Sequence, residues 1–272
     1  MTTSAPPREV LAAFGVAGEA VPLAGGFSGS AWRVGDVVLK PVGDEEEHAW
    51  VCEVYDAWSC PDVSVTQPVR SRSGGWSVGG WGAQSVLPGS TARAGDDPDW
   101  FRRVHTAFHT AVAGLARPTF LDRRDDPWTI GDRVAWDELE PEGTPETVAF
   151  VERAMALFAP VEDPDQVVHG DLTGNVLRDG DRAAVIDWPP YWRPAGWALA
   201  VVGVDVVCWE GADPTLLDRW STGPAWPQLL LRALVFRTAS RGRHEMLGHV
   251  PPPDAQYLAV KDRLLDLVED RL

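Results

Sequence analysis

The stretch from Val167 to Trp188 limits what this chain can fold into more than any other. It reads Val167-Val168-His169-Gly170-Asp171-Leu172-Thr173-Gly174-Asn175-Val176-Leu177, then Asp179-Gly180-Asp181, then Ala183-Ala184-Val185-Ile186-Asp187-Trp188. Two short β-prone runs around an Asp-Gly pair read as a hairpin preceded by a polar loop. Folding the strands back on that turn brings Asn175 and Asp187, at the outer ends, into one neighbourhood, with Asp171 one short loop away. Two carboxylates and an amide oxygen are hard donors of the kind magnesium takes alongside nucleotide phosphates. Moving a phosphoryl group requires mainly that charge be placed and neutralised, with one further carboxylate near the attacking hydroxyl. Asp171 suits that last role. The plain alternative is an Asp-Gly hairpin with solvated acids.

The order His169-Gly170-Asp171, Asn175, Ile186-Asp187-Trp188 resembles the catalytic loop and metal-binding signature of the aminoglycoside phosphotransferase-like small-molecule kinases. That resemblance implies an α+β, protein-kinase-like two-lobed fold, with an antiparallel β-sheet N-lobe and a mainly helical C-lobe. It also implies ATP and magnesium as cofactors and a small-molecule hydroxyl as acceptor. Asp171 then corresponds to the catalytic carboxylate, Asn175 and Asp187 to the metal ligands, and His169 to a structural member of the loop. From Asp171 to Asn175 the loop is one residue shorter than is usual in that family, and Gly174 is available to tighten it.

The N-terminal half supports the same reading. Gly25-Gly26-Phe27-Ser28-Gly29-Ser30 precedes a strand, and Gly26, Ser28 and Gly29 could lay backbone N–H groups over phosphates. A ligand-free glycine-rich turn fits the same residues. Lys40 closes Val37-Val38-Leu39-Lys40 as the strand lysine of a kinase does, against the alternative of a surface lysine. Its acidic partner is expected from the following helix, at Glu47, with Glu46 and Glu53 as rivals. Gln84 to Leu87, including Val86, falls where a hinge presents backbone groups to adenine. Strands come first and helices after, with a boundary near Pro88-Gly89. Residues 1–87 are therefore expected to form a nucleotide-binding lobe, and 88–272 a catalytic and substrate-binding lobe.

Composition narrows the partners. The formal net charge is -16, which repels nucleic acid and anionic membrane surfaces, and no basic patch offsets it. Pro6, Pro7, Arg8 and Glu9 interrupt the apolar stretch a signal peptide needs, and no long apolar segment follows, so a cytoplasmic protein is expected. Cys52, Cys60 and Cys208 lack CxxC spacing and read as small buried hydrophobes. His105 and His109 share a helix face, but nothing near them completes a metal site, which favours packing.

No Ala-Pro-Glu segment follows Asp187, and Trp188 to Pro214 contains no Ser or Thr, which favours a small-molecule acceptor over a protein kinase. Trp197 stands where the resemblance implies an Asp beneath the catalytic loop, so either Asp205 serves instead or the loop is supported differently. Trp188, Trp192, Trp197, Trp209, Glu210, Asp213 and Asp218 would suit a cationic acceptor such as an amino sugar or aminoglycoside. The competing reading is a kinase-fold nucleotide-binding regulator with little or no turnover.

Overall fold

The computed structural model of the protein describes residues 4–23, 31–251, 253 and 255–272. In chain order these form α1 (Arg8–Ala13), β1 (Val21–Pro22), β2 (Trp32–Val34), β3 (Val37–Pro41), α2 (Glu45–Asp56), β4 (Val63–Val65), β5 (Ser77–Val78), β6 (Trp81–Ser85) and β7 (Ser90–Thr91). Then come α3 (Pro98–Val112), a 3-10 turn (Thr119–Asp122), α4 (Pro127–Ala135), α5 (Pro145–Met155), β8 (Asp165–His169), β9 (Val176–Asp179) and β10 (Arg182–Val185). The chain ends with β11 (Pro190–Pro194), α6 (Ala195–Trp209), α7 (Thr215–Arg219), α8 (Trp226–Met246) and α9 (Ala255–Glu269). The chain divides into two compact units, residues 1–92 with 174–188, and residues 93–173 with 189–272.

The first unit holds two sheets. Gly35-Asp36 turns β2 back on β3 with Val34 opposite Val37, and the larger sheet runs β1-β2-β3-β6-β5, antiparallel throughout. Its apolar face meets α1 through Val10, Phe14, Val34, Leu39, Trp81 and Ala83. The first turn of α2 carries Glu45, Glu46 and Glu47, which complement the positive helix end. Asp44 caps it by accepting from the N–H groups of Glu46 and Glu47, both at 2.8 Å. The smaller sheet runs β4-β10-β9-β7. It contains the expected Asp-Gly hairpin, with Val176 opposite Val185, and one parallel pair that joins β10 to β4, Ala183 beside Val63.

The second unit is helical apart from the antiparallel pair β8–β11. Its centre is α8, packed by α4, α5, α6 and α9. Ten consecutive residues of α6, Trp197 to Val206, are buried. Trp197 meets Phe236 at 5.2 Å between ring centroids, and Tyr191 meets both at 5.8 Å. In α3, Phe101, Val104, Phe108 and Val112 form the buried stripe that helical periodicity predicts. Seven of the fourteen tryptophans are buried, Trp197 and Trp220 completely. Cys52 is buried, whereas Cys60 and Cys208 are only half-buried. Among the described residues no helix is long and apolar enough to cross a membrane.

Candidate active site

In the first unit the hairpin does what its sequence predicts. The Ile186 N–H donates to the Asn175 carbonyl at 3.0 Å, one step beyond the Val185–Val176 pair, so Asn175 and Asp187 leave the strands side by side. Gly174, just before Asn175, has φ +83°, a left-handed backbone that side-chain-bearing residues avoid. The shortened loop is thus turned by the residue that can turn it. Lys40, on β3, lies 3.4 Å from an Asp187 oxygen and donates to the Ile186 carbonyl at 3.0 Å. Gln84 on β6 donates to the same carbonyl at 3.2 Å and accepts from Thr66 at 3.3 Å. Lys40, Gln84 and the Asn175–Asp187 hairpin end are therefore gathered into one cluster. Behind it Trp188 is buried, stacked on Tyr55 at 5.7 Å and tilted against Trp50 at 5.3 Å.

Glu47 sits half-buried in the first turn of α2. Gly26, Ser28 and Gly29 lie outside the described residues. Near the expected adenine hinge the Ser85 N–H donates to Gln67 O and the Val86 N–H to Asp36 O, at 2.8 and 2.9 Å. Those two donors are engaged within the unit's own strands and turns.

In the second unit Asp171 follows β8 in a loop fixed from beneath by imidazoles. The Asp171 N–H donates to His169 Nδ1, and the His169 N–H donates to His109 Nε2, both at 3.1 Å. An accepting nitrogen carries no proton, so His109 holds its hydrogen on Nδ1 and donates to the His105 carbonyl at 2.8 Å. His105 in turn bonds the Ala195 carbonyl through Nε2 at 3.2 Å. Burial lowers the pKa of His105 to about 3 and holds His109 well below the ordinary histidine range. The two histidines are buried in the packing, and in their neutral forms they support the backbone of the loop that carries Asp171.

One Asp171 oxygen accepts from Arg237 of α8 at 2.7 Å, and the same guanidinium grips Asp205 of α6 through Nε (2.8 Å) and Nη2. Asp205 is thus linked to Asp171 through Arg237, while Trp197 is buried in the aromatic core. Burial works against the charge on Arg237, and the facing Asp205 and Asp171 carboxylates overcome it, so the arginine stays protonated. Sequence reading missed Arg237, because it lies 66 residues from Asp171 inside an otherwise ordinary helix.

The expected acceptor-binding set does not survive intact. Trp188 and Trp197 are enclosed by packing, Asp218 is engaged by Arg271, and Glu210 accepts from the Gly95 N–H at 2.6 Å. Trp209 is exposed. A separate cavity of about 260 Å³ in the second unit is lined by Arg117, Arg124, Arg133, Arg193, Asp132 and Tyr191, among others. Arg193 grips the buried Asp132 in a two-pronged pair at 2.8 and 2.9 Å, and Glu138 at 2.8 Å.

Residues 19–203 match the model of the phosphotransferase enzyme family, so the chain belongs to that family of small-molecule kinases. No curated protein sequence matches the chain. Solved structures share the fold at low identity. Choline kinase LicA from Streptococcus pneumoniae is 12% identical with TM-score 0.61, covering 97% of both chains. A spectinomycin phosphotransferase in complex with ADP and spectinomycin is also 12% identical, with TM-score 0.56 and 97% of both chains covered. A thermostable aminoglycoside phosphotransferase mutant, in ternary complex with AMP-PNP and hygromycin B, is 13% identical with TM-score 0.58, covering 94% of this chain and 96% of that one. The α+β, protein-kinase-like fold is thereby established.

Proposed function

We propose that this protein transfers the γ-phosphate of Mg-ATP to a hydroxyl of a cationic small molecule, an amino sugar, an aminoglycoside or a similar amino alcohol. The observation that carries the reading is the hairpin end, where Asn175 and Asp187 emerge together with Lys40 against Asp187. The donor chemistry fits magnesium. Asp187 offers an exposed carboxylate and Asn175 an amide beside it, a sparse oxygen set of the kind magnesium accepts when phosphates complete its shell. Among the described residues no group of three or more His, Cys, Asp or Glu forms a denser metal site. Magnesium held there would neutralise charge developing on the transferred group.

The chain's own residues supply the rest. Lys40 holds the nucleotide phosphates, exchanging part of its contact with Asp187 for them, while Glu47, Gly26, Ser28 and Gly29 complete the nucleotide side. Gln84 and Val86 border the base. Asp171 orients the acceptor hydroxyl and takes its proton as the new P–O bond forms and the bond to the leaving ADP oxygen breaks. A net charge of -16 favours a cationic acceptor, and the choline, spectinomycin and hygromycin B named for the structural neighbours are of that kind. A cytoplasmic location suits an ATP-consuming enzyme.

The test is ATP consumption with magnesium against choline, ethanolamine, amino sugars, aminoglycosides, neutral sugars and nucleosides. Acceptor-dependent turnover is expected, absent in Asp171→Asn and Asp187→Asn. Mg-ATP binding without turnover on any acceptor would favour a regulatory nucleotide-binding protein instead.

A further inference from the structure

We propose that the cavity beside β11 is a second ligand site, one that takes the dianion of a small phosphomonoester with an apolar body. The inference stands apart from the kinase reading, because it rests on charge and space within the second unit alone. The cavity, about 260 Å³, lies along β11 from Tyr191 to Arg193, with α4 and the chain on either side of α4 as its other walls. Arg193 pairs with Gln166, three positions from the His169–Pro190 pair after which the Asp171 loop begins, roughly 10 Å along the strand. Helix α4 meets α8 through Gly131, where an added methyl would strike Ser240, and presents Thr129, Asp132 and Arg133 to the cavity. The cavity is therefore on a different side of α4 from α8, the helix whose Arg237 holds Asp171.

Among the lining side chains four arginines face three acids, and the acids are already engaged. Both oxygens of Asp132 accept from Arg193, at 2.9 and 2.8 Å, and that pair is nearly dry, with the side chains 9% and 14% exposed. Glu138 accepts from the same guanidinium at 2.8 Å, and Asp122 is held by Arg117 at 2.6 Å. The donors are not used up. Among the described residues Arg193 Nη1 makes no hydrogen bond. Arg133 bonds only the carbonyls of Leu121 and Asp122, at 3.5 and 3.1 Å, with no carboxylate of the described residues in ion-pair distance. Its charge is uncompensated.

A second cation stands close behind the wall. Arg232 of α8 is 7% exposed and bonds only the Ala135 and Ala159 carbonyls. It shares the Trp136 ring with Arg193, the two guanidinium carbons 4.7 and 4.9 Å from the ring centre. Burial disfavours the charge on Arg232, Asp137 favours it and Arg193 opposes it. An anion beside Arg193 would offset that repulsion. Guanidinium groups with spare donors suit phosphate oxygens, and a dianion answers two uncompensated arginines better than a single carboxylate does. Leu121, Leu139 and Trp192 supply apolar wall, and Leu139 is 39% exposed, a surface that the body of a ligand would cover. The volume falls below the range of drug-sized pockets, so the ligand is small.

The experiment is calorimetric titration with phenyl phosphate, inorganic phosphate and benzoate at constant ionic strength, without nucleotide or magnesium and above pH 7, where a phosphomonoester is a dianion. Thermal melts verify the folding of each variant. Phenyl phosphate is expected to bind one per chain, about tenfold tighter than either inorganic phosphate or benzoate. Arg133→Gln, which keeps a donor for the carbonyls, and Leu139→Glu, which puts a negative charge on an exposed wall residue, should each weaken it about tenfold. Asp122→Asn frees Arg117 and removes a negative charge, so it should tighten binding severalfold, a gain that damage to the fold could not produce. Lys40→Met should leave the affinity unchanged, which separates this cavity from the nucleotide side. The Nε–H resonance of Arg133, assigned by its loss in Arg133→Gln, should shift as the ester is added. Absence of saturable binding overturns the proposal, as does binding that ignores Arg133→Gln and Leu139→Glu. Benzoate or inorganic phosphate bound as tightly as phenyl phosphate overturns the assignment of the ligand. Every one of these readings is made without turnover, so failure of the kinase reading would leave them standing.

Discussion

Lowering the pH from 7 to 5 should weaken the helical unit through His105 and His109. Both imidazoles are kept neutral in the folded chain, chiefly by burial, with His169 and Arg102 adding repulsion at His105 and the Ala195 carbonyl working the other way. In the unfolded chain each regains its ordinary pKa near 6.5. As the pH falls through that value the unfolded state binds protons that the folded state refuses, so stability declines until the folded pKa is reached. For His105, whose folded value is about 3, the loss continues past pH 5. Between pH 7 and 5 it amounts to about 2 kcal/mol for His105, and His109 adds to the loss in the same direction. Urea denaturation at the two pH values measures it. His105→Gln, which keeps a donor for the Ala195 carbonyl and cannot titrate, should remove the His105 share of about 2 kcal/mol. Equal pH dependence in the variant and wild type would refute the reasoning, since it would mean that His105 takes up its proton while folded.

Gly131→Ala places a methyl 2.0 Å from Ser240 Oγ and 2.6 Å from the Ser240 backbone nitrogen, where α4 crosses α8, and should cost about 3 kcal/mol in chemical denaturation. Arg193→Met strands the buried Asp132 without its partner and should destabilise by about 3–5 kcal/mol, with Arg193→Lys losing less because one donor remains. Lys40→Met should weaken Mg-ATP binding about tenfold by calorimetry while leaving the melting temperature near that of wild type, because the Lys40–Asp187 pair is partly solvated.

Much of the site was legible in the sequence because it is local. An Asp-Gly turn between two apolar runs fixes a register, and the register alone puts Asn175 beside Asp187. Lys40 was legible for a similar reason, as the last residue of an apolar run after a Gly-Asp turn. The helix at Glu45–Asp56 announced itself through its acidic first turn, and α3 through its stripe. Helix α6 did not, because a segment buried on all sides has no polar face to mark its period. Arg237 was hidden for a different reason. Its partners Asp171 and Asp205 come from two other elements, and nothing in a helix sequence reveals which of its arginines faces inward. Trp188 and Trp197 were open to two readings until packing decided between them, since an indole serves equally as a core filler or a binding surface.

The parallel pairing of β10 with β4 bears on how the protein is made. Ala183 lies beside Val63, so the smaller sheet of the first unit needs a partner 120 residues further along the chain. At ribosomal speeds, the interval between the appearance of residue 92 and that of residue 183 is roughly 5–20 s. Throughout that time β4 has no partner strand, and the hairpin bearing Asn175 and Asp187 is still unsynthesised. The hairpin that completes this sheet thus emerges only after residues 93–173 of the second unit, and a fragment ending at residue 92 would present an unpaired β4 to its neighbours.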